Sequence, residues 1–273
     1  EMIALWLVTQ WEPILLKNPN FEIQLVELGP GRGTLMADVL RTLRALPQNR
    51  TPRIKSVQMI EASPKLQATQ AKTLGNESAK EGDSSFVNQD GIPIEFAYSF
   101  SAIPKNVPTY FIANEFFDAM PVFKFQKTND GWREIMVIEN TDPKYKEHFQ
   151  FSLAPYQSKA AYVILQNEKR GKEFKVGDKI EISPESYQVA NEIAKILKDN
   201  GGAALIADYG RNYPLEDRVR AISSHKFTSI LSSPGDFDIS ADVDFSLLAR
   251  ACEDVAYTHG PITQSTFLRS MGI

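Results

Sequence analysis

Residues 23–46 constrain the fold of this chain more tightly than any other stretch. Ile23-Gln-Leu-Val-Glu-Leu28 is a short apolar run with a charge near its end, the pattern of a parallel strand buried on both faces. Glycines 29, 31 and 33 follow at once, and Leu35, Met36, Val39, Leu40, Leu43 and Leu46 then recur at helical spacing. A strand that runs through a glycine loop into a helix opens a doubly wound α/β sheet, where ligands bind beyond the carboxyl ends of the strands.

The chain repeats that alternation. Ile3, Leu7, Trp11 and Ile14 predict a first helix, interrupted by Pro13 and ended by Pro19. Ile54–Ile60 predicts a second strand closing on Glu61, and Ser63-Pro64 supplies an N-cap and a first-turn proline for a helix to about Gly75. Residues 76–85, polar and turn-rich, predict a mobile loop; Phe86-Val-Asn-Gln predicts a third strand end, and Tyr110–Ala113 another strand. Val122–Lys127 and Trp132–Glu139 flank Asn129-Asp-Gly131 and predict a β-hairpin. Ser183-Pro184 starts a helix with Tyr187, Ala190, Ile193, Ala194 and Leu197 on one face; Asn200-Gly-Gly202 ends it before a strand at Ala203–Ala207 that closes on Asp208. The expected architecture is a Rossmann-like α/β domain over residues 1–273, its mostly parallel sheet covered on both sides. Residues 122–182 form a hairpin-containing insertion or antiparallel extension within it.

The glycine spacing, Gly-x-Gly-x-Gly, differs from the Gly-x-Gly-x-x-Gly of dinucleotide enzymes, and no Lys-Ser/Thr pair follows to make a P-loop. Glu27 stands two residues before Gly29. A carboxylate there repels a diphosphate and attracts an α-amino or sulfonium cation. Glu61, closing the second strand, is the natural acceptor for two ribose hydroxyls. It lies further from Gly31 than the usual roughly 20 residues, a gap filled by the loop from Pro47 to Pro52. Asp90 is a candidate acceptor for an adenine amino group. Each feature alone can be a plain turn or a surface acid. Glu27, Gly29, Gly31, Gly33 and Glu61 together point to S-adenosyl-L-methionine.

Asn114-Glu-Phe-Phe-Asp-Ala-Met-Pro121 begins where the Tyr110 strand ends. Glu115 and Asp118, three apart, could face one way on a helical turn and hold a cationic acceptor, with Phe116 and Phe117 against its π surface. The alternative is core aromatics beside solvated or capping acids. Composition closes off other classes. A net charge of −4 argues against wrapping nucleic acid by bulk electrostatics. A single cysteine, Cys252, excludes an internal disulfide framework. His148, His225 and His259 are too far apart in sequence for a zinc motif, so no metal is expected. The early apolar run Met2–Val8 is far shorter than the roughly 20 residues that span a bilayer. The chain opens at Glu1, as a fragment or a processed product would, so missing targeting signals carry little meaning.

Six stretches resemble the MidA family of methyltransferases: Glu27-Leu-Gly-Pro-Gly-Arg-Gly33, the loop 114–121, Lys124-Phe-Gln-Lys127 with Gly131-Trp-Arg-Glu134, Ala207-Asp-Tyr-Gly210, Ala241-Asp-Val-Asp-Phe245 and Gly260-Pro-Ile-Thr263. The resemblance covers almost the whole chain, and the family includes a mitochondrial complex I assembly factor. It implies a class I S-adenosyl-L-methionine-dependent enzyme that methylates arginine in a matrix-arm core subunit of respiratory complex I during assembly. Glycines 29, 31 and 33 match the cofactor loop, Glu61 the second-strand acid, and Glu115 and Asp118 the acidic loop after the strand. The hairpin and last block resemble mitochondrial members more closely, which implies the mitochondrial matrix; a bacterial member would be cytoplasmic. The family also implies a segment before Glu1 and a final strand after Ile273.

Methyl transfer from a sulfonium needs no metal; its rate comes mainly from alignment. Arginine is protonated and delocalised, so an acid pair at Glu115 and Asp118 is expected to pin the guanidinium and accept the released proton, with Asn114 helping to orient it. Two other readings remain at this point. An oxidoreductase is disfavoured by the glycine spacing and Glu27. A non-catalytic assembly chaperone would keep the cofactor pocket and bind its client through Phe123, Phe125 and Trp132 of the hairpin, residues that could equally be plain packing.

Overall fold

The computed structural model describes residues 1–142, 144, 147–166, 174–213, 217–223 and 226–272; His225 lies outside them. In chain order the elements are α1 (Met2–Leu15), β1 (Glu22–Leu28), α2 (Thr34–Ala45), β2 (Arg53–Ile60), α3 (Pro64–Thr73), β3 (Ser85–Val87), β4 (Pro93–Ala97), β5 (Thr109–Asn114), β6 (Phe123–Thr128), β7 (Gly131–Glu139) and β8 (Phe149–Leu153). Then follow α4 (Lys159–Gln166), β9 (Lys179–Ile182), α5 (Pro184–Asn200), β10 (Gly202–Ala207), β11 (Gly210–Arg211), β12 (Arg220–Ser223), β13 (Lys226–Thr228), β14 (Asp238–Ser240), β15 (Val243–Asp244), α6 (Phe245–Cys252) and α7 (Gln264–Ser270). The chain divides into two compact units, one of residues 1–116, 191–207 and 252–273, the other of residues 117–190 and 208–251.

The first unit is built on a six-stranded sheet in the order β10-β5-β1-β2-β4-β3. All neighbours are parallel except β3, which pairs antiparallel with β4. β1 is central, and every residue from Ile23 to Leu28 is buried, as its apolar run predicts for a strand covered on both faces. The core beneath it gathers Leu7, Trp11, Leu25, Met36, Val39, Val57, Met59, Ile94 and Tyr110. The Trp11 ring meets Tyr110 edge-on at 5.3 Å, and its Nε1 donates to the Arg50 carbonyl at 3.1 Å.

Two local expectations change, at the end of α1 and at the third parallel strand. α1 continues through Pro13 to Leu15, and Leu15 is buried where Ile14 is exposed. Residues 76–84 form the expected loop, with Ala79 packed into the core and Asp83 accepting from the Lys80 N–H at 2.8 Å. The third parallel strand is β4, opened by Pro93, a position where a strand tolerates proline. The predicted strand at Phe86 is the short antiparallel β3.

In the second unit, β6 and β7 form the expected hairpin, with Thr128 opposite Gly131, inside a four-stranded sheet in the order β8-β7-β6-β9. Phe125 is fully buried with Ala161, Ile180 and Ile182; Phe123 stacks on it at 6.2 Å, and Trp132 meets Phe174 edge-on at 4.9 Å. Phe125 is therefore core, while Phe123 and Trp132 are half-buried beside it. Lys124 ion-pairs with Glu181 at 3.4 Å and with Asp217, and the Glu181 carboxylate accepts from the backbone N–H groups of Arg218 and Val219. A three-stranded sheet β13-β12-β14 and the pair β11-β15 complete this unit. Among the described residues no helix is long and apolar enough to cross a membrane, and no His, Cys, Asp and Glu side chains cluster as metal ligands.

Candidate functional site

The parallel register brings four strand ends to one edge of the first unit: Leu28 lies opposite Ile60 and Ala113, and Ala207 opposite Asn114. The glycine loop leaves β1 at that edge. Gly29, Gly31 and Gly33 all sit at positive φ, +58°, +52° and +79°, a region in which side-chain-bearing residues are strained. Each glycine meets a different demand. A Cβ on Gly29 would stand 2.8 Å from the Phe116 ring, and one on Gly33 would stand 3.2 Å from the Gln70 Cα, whereas Gly31 faces open space. Gly31 is thus where a ligand can approach the backbone.

Glu27, the next-to-last residue of β1, is almost entirely out of water, and its Oε2 has no hydrogen-bond partner among the described residues. Burial pushes its carboxyl up to about 8, against a smaller pull downward from the Met36 backbone N–H at the start of α2. A buried carboxylate with an unpartnered oxygen fits a ligand that brings its own cation. Glu61 follows β2 at the same edge. Its Oε1 accepts from the Ser63 N–H at 2.8 Å and its Oε2 from Gln70 Nε2 at 3.1 Å. Ser63 also caps α3 through the Leu66 N–H, as its sequence position predicts. These groups lie at one edge of the first unit: a buried acid, an open glycine backbone and an acid held by two donors.

Asp90 does not belong there. Val87 pairs with Pro93 at the start of β4, so the turn carrying Asp90 lies at the amino ends of the parallel strands, the opposite edge from Glu27 and Glu61. Its carboxylate is ion-paired with Arg44 in the last turn of α2. The residues that leave β4 at the carboxyl edge are Tyr98 and Ser99.

Asn114 and Glu115 are exposed at the end of β5. The Glu115 N–H donates to the Ala207 carbonyl at 2.9 Å, and its φ of +48° is unusual for a residue with a side chain. The helical turn starts only at Phe117, so Glu115 and Asp118 are not two positions of one turn, as their spacing had suggested. In the second unit, Asp208 Oδ2 accepts from the N–H groups of Phe117 and Asp118 at 2.9 and 3.2 Å, and its Oδ1 accepts from the Tyr209 N–H. Burial, then the neighbouring Asp118 charge, push the Asp208 carboxyl up to about 6. Asp208 and Gln70 are the residues that sequence reasoning left out. The signal for Asp208 was present, since it closes a strand as Glu61 does; Gln70 had none beyond its place on α3.

The family model of S-adenosyl-L-methionine-dependent methyltransferases matches residues 2–262. The chain is 37% identical over its full length to the mitochondrial protein arginine methyltransferase NDUFAF7 of Bos taurus, and 38% identical to that of Mus musculus; it spans 60% and 61% of those two proteins. A crystal structure from Burkholderia thailandensis bound to S-adenosyl-homocysteine superposes with a TM-score of 0.64 at 21% identity, over 92% of this chain and 60% of that one.

Proposed function

This chain belongs to the MidA family of S-adenosyl-L-methionine-dependent methyltransferases, and from that premise we propose that it is a protein-arginine N-methyltransferase of the mitochondrial matrix acting on a core subunit of respiratory complex I during assembly. The observation that carries the reading is Glu27, a buried carboxylate with an unpartnered oxygen beside an open Gly31. A diphosphate would leave that charge worse off; an α-ammonium neutralises it. The bound cofactor supplies an electrophilic methyl group on a positively charged sulfur. Glu27, the loop glycines and Glu61 hold it, and the Gly31 backbone admits its amino-acid end.

The acceptor loop does the remaining work. A guanidinium loses a proton as its nitrogen is alkylated, so a carboxylate that holds it both orders the nitrogen and accepts that proton. Glu115 and Asp118 are the proposed carboxylates, Asn114 the orienting amide. Asp208 fixes the turn that carries Asp118 and adds a second negative charge beside it.

Calorimetry with S-adenosylhomocysteine and NAD in parallel tests the cofactor: the first binds and the second does not. In the full-length protein, Glu115→Gln and Asp118→Asn keep shape and remove charge. Each should leave cofactor affinity nearly intact and slow methylation of the client arginine by about a hundredfold or more. Wild-type rates in both variants remove these acids from the acceptor role. A full-length wild type that supports assembly without ever transferring methyl makes the protein a chaperone.

A further inference from the structure

Gln70 is wholly buried on α3, yet only half of its amide is used. Nε2 donates twice, to the Gly31 carbonyl at 2.7 Å and to Glu61 Oε2 at 3.1 Å, while Oε1 is buried with no partner among the described residues. An apolar side chain of the same length would bury no unpartnered oxygen of its own, but would take this donor from the Gly31 carbonyl and from Glu61 Oε2. What an apolar residue cannot supply is the shared donor. Gly33 lets α3 come close enough to deliver it, since the Gln70 backbone stands where a Gly33 Cβ would press.

We propose that Gln70 is a positioning residue for the cofactor site: its single amide nitrogen ties the Gly31 carbonyl to the Glu61 carboxylate, so that the loop taking the amino-acid end and the acid taking the ribose are held in one register. This rests on the reading of Glu61 and the glycine loop given above. Among the described residues the Glu61 carboxylate is otherwise steered by the Ser63 N–H on its other oxygen, a single contact about which it could turn. Gln70 removes that freedom, and because the same nitrogen grips the loop, a disturbance at either end reaches the other.

The test uses two ligands and two backgrounds. S-adenosylhomocysteine engages both ends of the site; 5′-methylthioadenosine carries the ribose and lacks the amino-acid end. Gln70→Met, close in volume and without donors, should weaken both roughly tenfold, the size of a lost hydrogen bond to a charged acceptor. In a Glu61→Ala background the same substitution should cost 5′-methylthioadenosine less than about twofold, because its effect on the ribose runs through Glu61. A role limited to packing α3 would give the same loss in both backgrounds, and that result overturns the proposal, as does unchanged affinity in Gln70→Met. If Glu61→Ala alone leaves both ligands bound as before, the ribose assignment itself falls and takes the proposal with it. Should Gln70→Met not fold, Gln70→Glu sets a carboxylate against Glu61: its affinity relative to wild type should be lowest at pH 8 and approach parity as acid protonates the new group. A ratio that stays flat with pH overturns the proposal as well.

Discussion

Glu27 near the end of β1 and Glu61 just after β2 carry the same functional group in different surroundings. Glu61 is oriented by two donors. Glu27 is dry, and its carboxyl is pushed from 4.5 up to about 8. The sign follows directly: between those values the folded chain holds a proton that the unfolded chain has lost, so stability is greatest below 4.5 and falls as pH rises toward 8. A ligand ammonium reverses the preference and expels the proton. Binding of S-adenosylhomocysteine should therefore tighten with pH across that window, by at most about tenfold per unit, and release a proton that calorimetry in buffers of different ionisation enthalpy detects. Glu27→Gln should abolish the release and flatten the fall in melting temperature; proton uptake or no exchange in the wild type would show that Glu27 meets no cation. Glu61→Ala should weaken the same ligand by about 1–3 kcal/mol, the range for hydrogen bonds to a charged acceptor. Affinity unchanged within error would make Glu61 a surface acid.

At the scale of elements, what the sequence made legible was whatever carries a periodic or capping signal. β1, the glycine loop, α2 and the Ser63-Pro64 start of α3 stand where spacing puts them. β4 was hidden because it opens with a proline and carries Glu95, while Phe86-Val87 looked more like a strand, and that single misreading sent Asp90 to the wrong edge of the sheet. The loop after β5 was legible as a loop following a strand, but its geometry was not. No periodicity reports the left-handed turn at Glu115, and the anchor of the following turn, Asp208, comes from far along the chain. That anchor can be measured. Asp208→Ala leaves the Phe117 and Asp118 N–H groups without their acceptor and should destabilise the chain by about 1–3 kcal/mol in urea denaturation. Asp208→Asn retains an acceptor oxygen and should cost less. Its carboxyl is raised from 3.8 to about 6, so the wild type also loses stability as pH rises from one value to the other, a slope that Asp208→Asn should remove. Equal costs for the two variants would mean that charge, not capping, is what the turn uses.

At the scale of the whole molecule, the chain divides into two compact units. The second unit takes in residues 208–251 as well as the hairpin, through strands of two to four residues that are too short to show a period in sequence, and it has its own core around Phe125, Ile180 and Ile182. Every proposed cofactor contact, from Glu27 through the glycine loop to Glu61, falls in the first unit. Ligand binding stabilises only the openings that destroy the site, by about 2.7 kcal/mol when ligand stands at a hundred times its Kd. Hydrogen exchange should resolve this. Saturating S-adenosylhomocysteine should slow the amides of residues 31–36 and 63–70 by up to about a hundredfold, that free energy expressed as a rate. Amides paired across β6, β7 and β9 should exchange at their ligand-free rate, because the local openings that expose them leave the first unit intact. Protection confined to the β6–β9 sheet would place the ligand in the second unit and refute the assignment of Glu27, Gly31 and Glu61.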